Sequence, residues 1–571
     1  MECTLIPMVT CIVYMSSSLF GHKVALHHCL ICCDCASVTR LLSDHILDKA
    51  KMLDIIFGSD LINDLCVKVT PGVDAWTLGF YNTAPSGWEK VTNNVSGYSK
   101  ENIIKHITLI NILSDSAQSR PTDARLRWQE MGPTFGLAGS DLVRYHKYVR
   151  LHLRALFESS LAEGVQYLEA RLTVHSLFDL DDSYPNGHRD LDEPENEGDS
   201  WFNVLREELA AFKANHPEFI GYKDIIQLKR YHSKQQIEEA IGQAVRLSQK
   251  YPDLVRGIDL VSEEDSGYSL LYFIDEILGI NNSSNEHLPL LFHTTETNWP
   301  DDLITSSKTD DPVGTLENAY DAIMLGSKRI GHGLGIIKHP YIMELLCESK
   351  IAVEVNPVSN MVLGYVPDMR NHPAVTYIKA GIPVVMGADD PGSMGHNFFT
   401  VDWYEAFMGW GIRLKDMKLL AMNALAFSTM NVNERQVATR KWSVAWDQFI
   451  ADVKAEACTA GLSEPLPEVH SMFPSGSPVR TNATIRVYGR HFQSAICNKV
   501  ICRFGNVETE GEYVYNTMLK CKAPHTSPQG TVVDVRVSLD SGHSYLDTRL
   551  NYDIFDNGLK ARPWLVPIVI G

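Results

Sequence analysis

The sequence has no long hydrophobic run and carries little positive charge. No apolar stretch among its 571 residues reaches the roughly 20 residues that a membrane-spanning helix requires. Lys and Arg number 51 against 70 Asp and Glu, so the formal net charge is −19. A general nucleic-acid binder neutralises phosphates with a basic surface, and this balance argues against that class. The sequence therefore predicts neither a membrane span nor a nucleic-acid partner.

Cysteine is scarce over the long middle of the chain, although the whole sequence has 12. Several crowd between Cys29 and Cys35, and another group, Cys497, Cys502 and Cys521, lies near the end. The sparse middle argues against a disulfide framework for a central domain, whereas one bridge is expected in the C-terminal part.

The amino-terminal residues suggest export from the cell. Residues 1–20 form a candidate signal peptide, because a short apolar stretch is followed by small residues, although the usual basic start is missing. Sites of the form Asn-x-Ser/Thr at Asn94, Asn281, Asn282 and Asn482 fit the same interpretation. We therefore expect an extracellular, secreted protein.

Polar residues directly follow strand-like apolar runs in the stretch from Leu288 to Pro391. The runs end at HTTETN (293–298), IGHG (330–333) and GADDP (387–391). A (β/α)8 barrel builds its active site just past the carboxyl ends of successive buried strands. His, Glu and Asp in such positions suit a metal-activated water with acid–base assistance.

Strand-like and helical runs alternate around these motifs. Together with Lys23–His28, they give about eight strands with helical connections, the number that a closed parallel barrel needs. A helix is expected over roughly Asp141–Gly164, and the acidic run Asp179–Ser200 is expected to be a solvated loop. The fold class is therefore predicted as α/β, a (β/α)8 TIM barrel over residues 21–462 with an insertion near 50–125.

The character of the sequence changes after Pro465. Short alternating runs with Gly, Pro and Asn turns predict an all-β immunoglobulin-like sandwich over residues 463–557, followed by a tail at 558–571. No catalytic constellation occurs in this part.

The ordered motifs resemble the adenosine deaminase family, in particular the secreted adenosine deaminase-related growth factors. HTTETNW, RIGHG, EVNPVSN, DMRNHPA, GADDPG and MNALAFST follow the family's order over roughly Arg125–Val453. The C-terminal PEVHSMFPSGSPVRTNATIRVYGRHF and LNYDIF resemble an IPT/TIG module, which generally binds partners or acts as a spacer. The resemblance implies a zinc-dependent hydrolase, with one Zn²⁺ per chain, that converts adenosine or 2′-deoxyadenosine to inosine or 2′-deoxyinosine plus ammonia. It also implies a homodimer, and a protein or glycan partner for the C-terminal module.

The same resemblance assigns the catalytic and metal-binding roles. His293 and Asp389 would ligate zinc. Glu296 would share a proton with the purine ring nitrogen at the attacked edge. His332 would orient and deprotonate the zinc-bound water.

Substrate contacts also follow from the resemblance. Asp390 would hydrogen-bond the imidazole-ring nitrogen of the purine, and Trp299 would pack against the nucleoside. Ser262 would offer a backbone N–H to the purine where the family usually has Gly. The family's HAGE is here HTTE, whose bulkier residues would narrow the pocket.

The first-strand metal motif departs from the family's pattern. The family has His-x-His there, because side chains two apart on a strand face the same way and reach one metal. This chain has KVALHHCL at residues 23–30, which puts His28 in the first ligand position and Leu30 in the second. His27 would then face the opposite side of a regular strand.

Four interpretations of this segment stay open. A bulge brings both His27 and His28 to the metal, or a cysteine of CLICCDC replaces the missing His. The segment is misread sequence, or its cysteines form a separate zinc knuckle.

The altered motif also supports a rival function, a catalytically silent extracellular binding or growth-factor-like protein. A third possible function, after the deaminase and the silent binding protein, is a metal-dependent amidohydrolase with another substrate, in which Glu296 loses its role.

Overall fold

The structure is a computed structural model. It describes residues 39–42, 49–69, 76–91, 97–107, 124–129, 131, 141–283, 288–297, 311, 315, 317–394, 399–459, 466–479, 481, 483–524 and 530–555. Over these residues, every helix is too short or too polar to cross a membrane. The described chain contains two compact units, one within residues 32–446 and the other within residues 447–571.

The first unit is built on parallel strands that follow one another in chain order around a barrel. A first sheet contains β1 to β4 and a second contains β5 to β8, and a parallel bridge between Ile258 and Leu290 joins them. The last strand lies beside the first, which closes the ring. The strands are β1 (Thr39–Leu42), β2 (Tyr167–Leu172), β3 (Gly221–Lys229), β4 (Val255–Val261), β5 (His293–Thr294), β6 (Arg329–His332), β7 (Ala352–Val355) and β8 (Val384–Met386). The predicted (β/α)8 barrel is confirmed.

Helices connect and surround these strands. They are α1 (Lys49–Phe57), α2 (Lys100–Ile107), α3 (His146–Ala162), α4 (Asp199–Asn215), α5 (Lys234–Lys250), α6 (Ile274–Ser283), α7 (Asn318–Met324), α8 (Pro340–Ser349), α9 (Pro357–Val362), α10 (Ala374–Ala380), α11 (Thr400–Trp410), α12 (Leu414–Ala426) and α13 (Val432–Thr459). The sequence explains several helix ends. Helix α3 stops two residues before Gly164, whose φ of +75° suits a left-handed helix terminus. Helix α5 begins with a capping box between Ser233 and Gln236.

The segment between β1 and β2 carries its own small sheet. Strands Leu65–Val69, Trp76–Phe80 and Glu89–Lys90 pair antiparallel and pack with α1 and α2 around a buried apolar cluster. Because this cluster also includes Tyr145 and Tyr148, the segment is anchored on the barrel through α3.

The acidic run Asp179–Ser200 is more ordered than the sequence predicted. A hairpin pairs Phe178–Leu180 with His188–Asp190, and α4 already begins at Asp199. His188 explains the order, since its ring stacks on Phe178 at 3.9 Å and its Nε2 lies 2.8 Å from the carbonyl oxygen of Phe80. Most of the run is exposed, as predicted, but the hairpin and the start of α4 are not loop.

The first described barrel strand is Thr39–Leu42, which pairs with β2 with Thr39 opposite Tyr167. The predicted first strand, Lys23–His28, cannot be compared with it. Residues 23–28, including His27 and His28, lie outside the described residues. Thr39–Leu42 has the sequence TRLL, with only two apolar residues, so its local sequence character did not mark it as a strand.

The second unit is the predicted all-β sandwich. Its strands are β9 (Glu468–Phe473), β10 (Gly476–Pro478), β11 (Thr484–Arg490), β12 (Val500–Phe504), β13 (Val507–Tyr515), β14 (Met518–Lys522), β15 (Thr531–Ser538) and β16 (Leu546–Phe555). They pair in the order β9-β11-β14-β13-β12-β15-β16-β10. Alternating residues on β11 and β12, such as Ile485, Val487 and Cys502, enter one apolar core. Cys502 and Cys521 form a disulfide, as expected for this part.

Candidate active site

The polar motifs of the sequence meet at the carboxyl ends of β5, β6 and β8. His293 begins β5, Glu296 follows it, His332 ends β6, and Asp389 lies just past β8. His293, Glu296 and His332 are buried, and Asp389 is half-buried. Ligand atoms of His293, His332 and Asp389 all lie within 4.8 Å of one another, close enough to surround a metal ion.

The backbone turns sharply where these strands end. Ser262, Thr295, His332 and Asp389 have φ values of 86°, 57°, 59° and 56°, in the left-handed region that residues other than Gly seldom adopt. Such conformations cost roughly 1–3 kcal/mol each and concentrate at functional sites. At Ser262, where the resemblance leads to an expectation of Gly, the backbone has a conformation that Gly adopts without steric cost.

His293 is fixed in orientation by Asp259 of β4. Its Nδ1 lies 2.6 Å from Asp259 Oδ2, and its backbone N–H donates to Oδ1 at 2.8 Å. Burial alone would raise the pKa of Asp259, but His293 and Arg171 together lower it well below its usual range. The carboxylate therefore accepts the Nδ1 proton and leaves the Nε2 lone pair of His293 available for a metal. Gly331, which pairs with His293 across β5 and β6, leaves room for the ring, since a Cβ there would lie 3.0 Å from it.

A chain of buried ion pairs extends from Asp259 across the barrel interior. Arg171 donates to Asp259 and forms a 2.7 Å ion pair with Glu354. Arg329 pairs with Glu354 at 2.5 Å and with Glu169 at 2.7 Å. Burial opposes ionisation of Glu354, but the two guanidinium groups lower its pKa. These residues were not predicted from the sequence, although the two-residue spacing in Tyr-Leu-Glu-Ala-Arg puts Glu169 and Arg171 on the same face of β2.

Glu296 is a buried carboxyl group placed beside His332. Its Oε1 lies 3.2 Å from His332 Nδ1, and its backbone N–H donates to Glu264 Oε2 at 2.8 Å. Burial, and then the negative charges of Asp389 and Glu264, raise the pKa of Glu296 well above its usual range. The side chain can therefore carry a proton at neutral pH.

His332 is surrounded by amide and carboxylate groups. Its Nδ1 lies 3.0 Å from Asn360 Nδ2, and its Nε2 lies 3.6 Å from Asp389 Oδ2. Burial lowers the pKa of His332 to about 4, so the ring is neutral at neutral pH. Ser359 donates its hydroxyl to Asp389 Oδ2 at 2.7 Å, which holds that carboxylate in place.

The site residues lie along one cavity of about 730 Å³. It is lined by six of the residues that the sequence predicted, namely Ser262, His293, Glu296, His332, Asp389 and Asp390. Trp299, like His27 and His28, lies outside the described residues, so these expectations stay predictions. Asn360 and His372, which approach His332, were present in the quoted motifs EVNPVSN and DMRNHPA but were given no role.

Two family models match the chain. Residues 312–440 match the adenosine deaminase model, and residues 467–550 match the IPT/TIG domain model. Solved structures of low sequence identity are also similar to the chain. Arabidopsis ADAL complexed with IMP is 14% identical, with 73% of this chain and 98% of that chain covered and a TM-score of 0.49.

Curated relatives also match the chain. Adenosine deaminase of Aedes albopictus is 37% identical over 288 residues, which are 50% of this chain and 49% of that protein. Adenosine deaminase of Lutzomyia longipalpis is 32% identical over 374 residues, which are 65% of this chain and 68% of that protein. The match thus spans about half of the Aedes albopictus protein and two thirds of the Lutzomyia longipalpis protein. The motifs, the barrel and these relatives agree that the chain belongs to the adenosine deaminase family, here followed by an IPT/TIG domain.

Proposed function

We propose that the protein hydrolytically deaminates adenosine or 2′-deoxyadenosine, which yields inosine or 2′-deoxyinosine and ammonia. One observation carries the proposal. A buried carboxyl group with a raised pKa, Glu296, lies in one cavity with the potential metal ligands His293 and Asp389. Hydrolytic deamination needs this combination, because attack on the carbon that bears the amino group requires protonation of the neighbouring ring nitrogen.

The donor set fits a zinc ion. His293 offers its Nε2 lone pair because Asp259 holds the proton on Nδ1, and Asp389 offers a carboxylate oxygen. His28, with His27 as an alternative, is proposed to complete the ligand set from the amino-terminal segment. The chemistry that zinc supplies when bound is Lewis acidity, which makes hydroxide available near neutral pH.

Glu296 is proposed as the proton donor to the purine. Burial, and then the charges of Asp389 and Glu264, favour the neutral carboxylic acid, and only the neutral form can donate a proton. His332, which lies beside Glu296 and lines the same cavity, is proposed to orient the attacking water. Both side chains are buried, which keeps bulk solvent away from the reacting edge.

Asp390 and Ser262 are proposed to orient the nucleoside. Asp390 is buried at the cavity wall, next to Asp389 in sequence, and would accept or donate a hydrogen bond at the imidazole-ring nitrogen. Ser262 lies at the end of β4, where its left-handed backbone makes its N–H a candidate donor to the purine. Trp299 is proposed to pack against the nucleoside.

Secretion is proposed on two features. The Cys502–Cys521 disulfide forms and persists in an oxidising compartment, and the sequence carries candidate glycosylation sites. The IPT/TIG domain is proposed to bind a protein or glycan partner, and the chain is proposed to form a homodimer as family members often do.

The test combines metal analysis with the ultraviolet change that accompanies conversion of adenosine to inosine. We expect near-stoichiometric zinc and turnover in the purified protein. Glu296→Gln should abolish turnover without loss of zinc, because it removes the acid but leaves the ligands. Glu344→Gln, at an exposed position on α8, is the matched control and should keep the wild-type rate. A purified protein that has neither bound zinc nor turnover would support the alternative of a catalytically silent binding protein. Turnover of other aminopurines, but not of adenosine, would support an amidohydrolase with a different substrate.

A further inference from the structure

A chain of hydrogen bonds connects the backbone of α10 to His332. The backbone N–H of Ala374 donates to His372 Nδ1 at 3.1 Å. His372 Nε2 lies 3.0 Å from Asn360 Oδ1, and Asn360 Nδ2 lies 3.0 Å from His332 Nδ1. The three side chains are 2%, 0% and 1% exposed, so bulk water does not compete for these bonds.

The direction of every bond follows from its first donor. A backbone N–H can only donate, so His372 Nδ1 must accept and the ring must carry its proton on Nε2. His372 Nε2–H then needs an acceptor, which is the oxygen of Asn360. This turns the NH₂ group of Asn360 towards His332, whose Nδ1 accepts in turn. Glu296 Oε1 lies 3.2 Å from the same nitrogen, but its carboxyl group has a raised pKa and is neutral, so it does not draw a proton onto Nδ1. Burial lowers the pKa of His372 to about 3, which agrees with a neutral ring.

The consequence for His332 is a defined tautomer. A neutral imidazole that accepts at Nδ1 carries its proton on Nε2. Nε2 lies 3.6 Å from Asp389 Oδ2 and 3.4 Å from Asn356 Nδ2. The Oδ1 of Asn356 is buried and has no hydrogen-bond partner among the described residues. If the Asn356 amide is turned by 180°, this oxygen accepts a hydrogen bond from the Nε2–H of His332.

We propose that His372 and Asn360 are positioning residues that keep His332 protonated on Nε2. His332 then has no lone pair at Nε2, so it stays out of the metal's ligand set although it lies beside His293 and Asp389. It meets the reacting atoms as a hydrogen-bond donor and does not take a proton from water. This inference rests on the proposed function for its catalytic part, and it differs from the expectation that His332 deprotonates the water.

Asn360→Asp gives the sharpest test, because it changes polarity with almost no change in shape. A carboxylate accepts from His372 Nε2–H and also from His332, and therefore moves the His332 proton to Nδ1. We expect kcat to fall by about 100-fold or more, with KM changed little. A base mechanism predicts the opposite, since a carboxylate behind the imidazole assists proton uptake at Nε2 and should preserve or raise kcat. Unchanged or increased kcat would overturn the proposal.

His372 supplies the matched pair of variants. His372→Gln keeps an acceptor for Ala374 and a donor for Asn360, and should retain most of the wild-type kcat. His372→Leu removes both, frees the Asn360 amide to turn, and should lower kcat with little change in KM. If kcat falls equally in the two variants, at equal thermal stability, the hydrogen-bond relay from Ala374 through His372 and Asn360 to His332 would be contradicted. A packing role for His372 would then be indicated.

A readout independent of turnover separates this inference from the proposed function. In metal-free protein labelled with ¹⁵N-histidine, the His332 signals are assigned by comparison with His332→Gln. We expect a protonated Nε2 in the wild type and a protonated Nδ1 in Asn360→Asp. A protonated Nδ1 in the wild type would overturn the relay even if adenosine is deaminated. A protonated Nε2 without deamination would leave the relay standing and reject the function.

Discussion

Asp259 accepts two hydrogen bonds from the same residue, one from the Nδ1 of His293 at 2.6 Å and one from its backbone N–H at 2.8 Å. The two bonds fix both the position of His293 and the nitrogen that faces the cavity. Partners of this kind typically contribute 10- to 100-fold to metal affinity.

Replacement of Asp259 by Asn should therefore weaken metal binding by about 10- to 100-fold. The amide keeps the shape of the side chain but loses the charge that holds the Nδ1 proton of His293 and balances Arg171. Competition with a chelator measures the change. Asp253→Asn, at a largely exposed ion pair with Arg206, is the control and should leave metal affinity unaltered. Equal affinities of Asp259→Asn and wild type would show that the contact does not tune the ligand.

Glu208 of α4 predicts a pH-dependent contribution to stability. Burial opposes its ionisation, but Arg154 and Arg150 of α3 lower its pKa below the ordinary value. A depressed pKa stabilises the fold above the unfolded-state pKa of about 4.3, and this contribution is lost as pH falls through the folded-state value. Glu208→Gln should lower the free energy of unfolding at pH 7 by about 1 kcal/mol, a modest value because both arginines are partly exposed.

The difference between Glu208→Gln and the wild type should shrink in acid, where both side chains are uncharged. Denaturant unfolding at pH 7 and below pH 4 measures it. Glu207→Gln serves as the control, because Glu207 is 62% exposed in its ion pair with Arg150. It should have little effect at either pH, and a pH-independent deficit in Glu208→Gln would rule out the electrostatic origin.

The left-handed backbone of Ser262 predicts opposite tolerance of two substitutions. Ser262→Val should lower the free energy of unfolding by roughly 1–2 kcal/mol, because a β-branched residue at φ 86° is strained. Ser262→Gly should be neutral within about 1 kcal/mol, since the strain it removes is offset by the flexibility it adds to the unfolded chain. Thermal melting of the two variants measures the difference in stability. Equal melting temperatures would mean that the backbone at position 262 relaxes out of the left-handed conformation at no cost.

The disulfide of the second unit should contribute measurably to its stability. Cys502 and Cys521 enclose a short segment, with a sequence separation of 19, for which loop closure predicts about 3 kcal/mol. The double variant Cys502→Ala/Cys521→Ala should lower the unfolding temperature of this unit and reduce its sensitivity to reducing agents, although Cys497 is also disulfide-bonded. Cys347→Ala, at a free cysteine of the barrel, is the control and should keep that sensitivity. A double variant that melts like the wild type would show that the bridge adds no stability.

The sequence predicted most of the barrel because its strands and its chemistry are local patterns. Apolar runs that end in polar motifs identified β5, β6 and β8 and brought His293, Glu296, His332 and Asp389 to one edge. The same approach did not identify Thr39–Leu42, the strand that pairs with β2. Pairing of a short first strand is decided by its partner across more than a hundred residues, and a local window does not contain that information.

The supporting residues were missed for a related reason. Asn360 and His372 are separated from His332 by 28 and 40 positions and act through hydrogen bonds whose direction depends on a backbone group. Arg329 and Glu354 look like ordinary charged residues until the barrel brings them together. Spacing shows which face of a strand a side chain occupies, but not which strand supplies its counter-ion.

The ion-pair path from Glu169 to His293 links the orientation of a proposed metal ligand to charged residues on distant walls of the barrel. Every step crosses from one strand to another, so a change in the tilt of β2 or β7 should alter the angle at which the His293 ring is presented. Adapting this scaffold to a different metal would therefore start with the charged wall residues rather than with the ligands themselves.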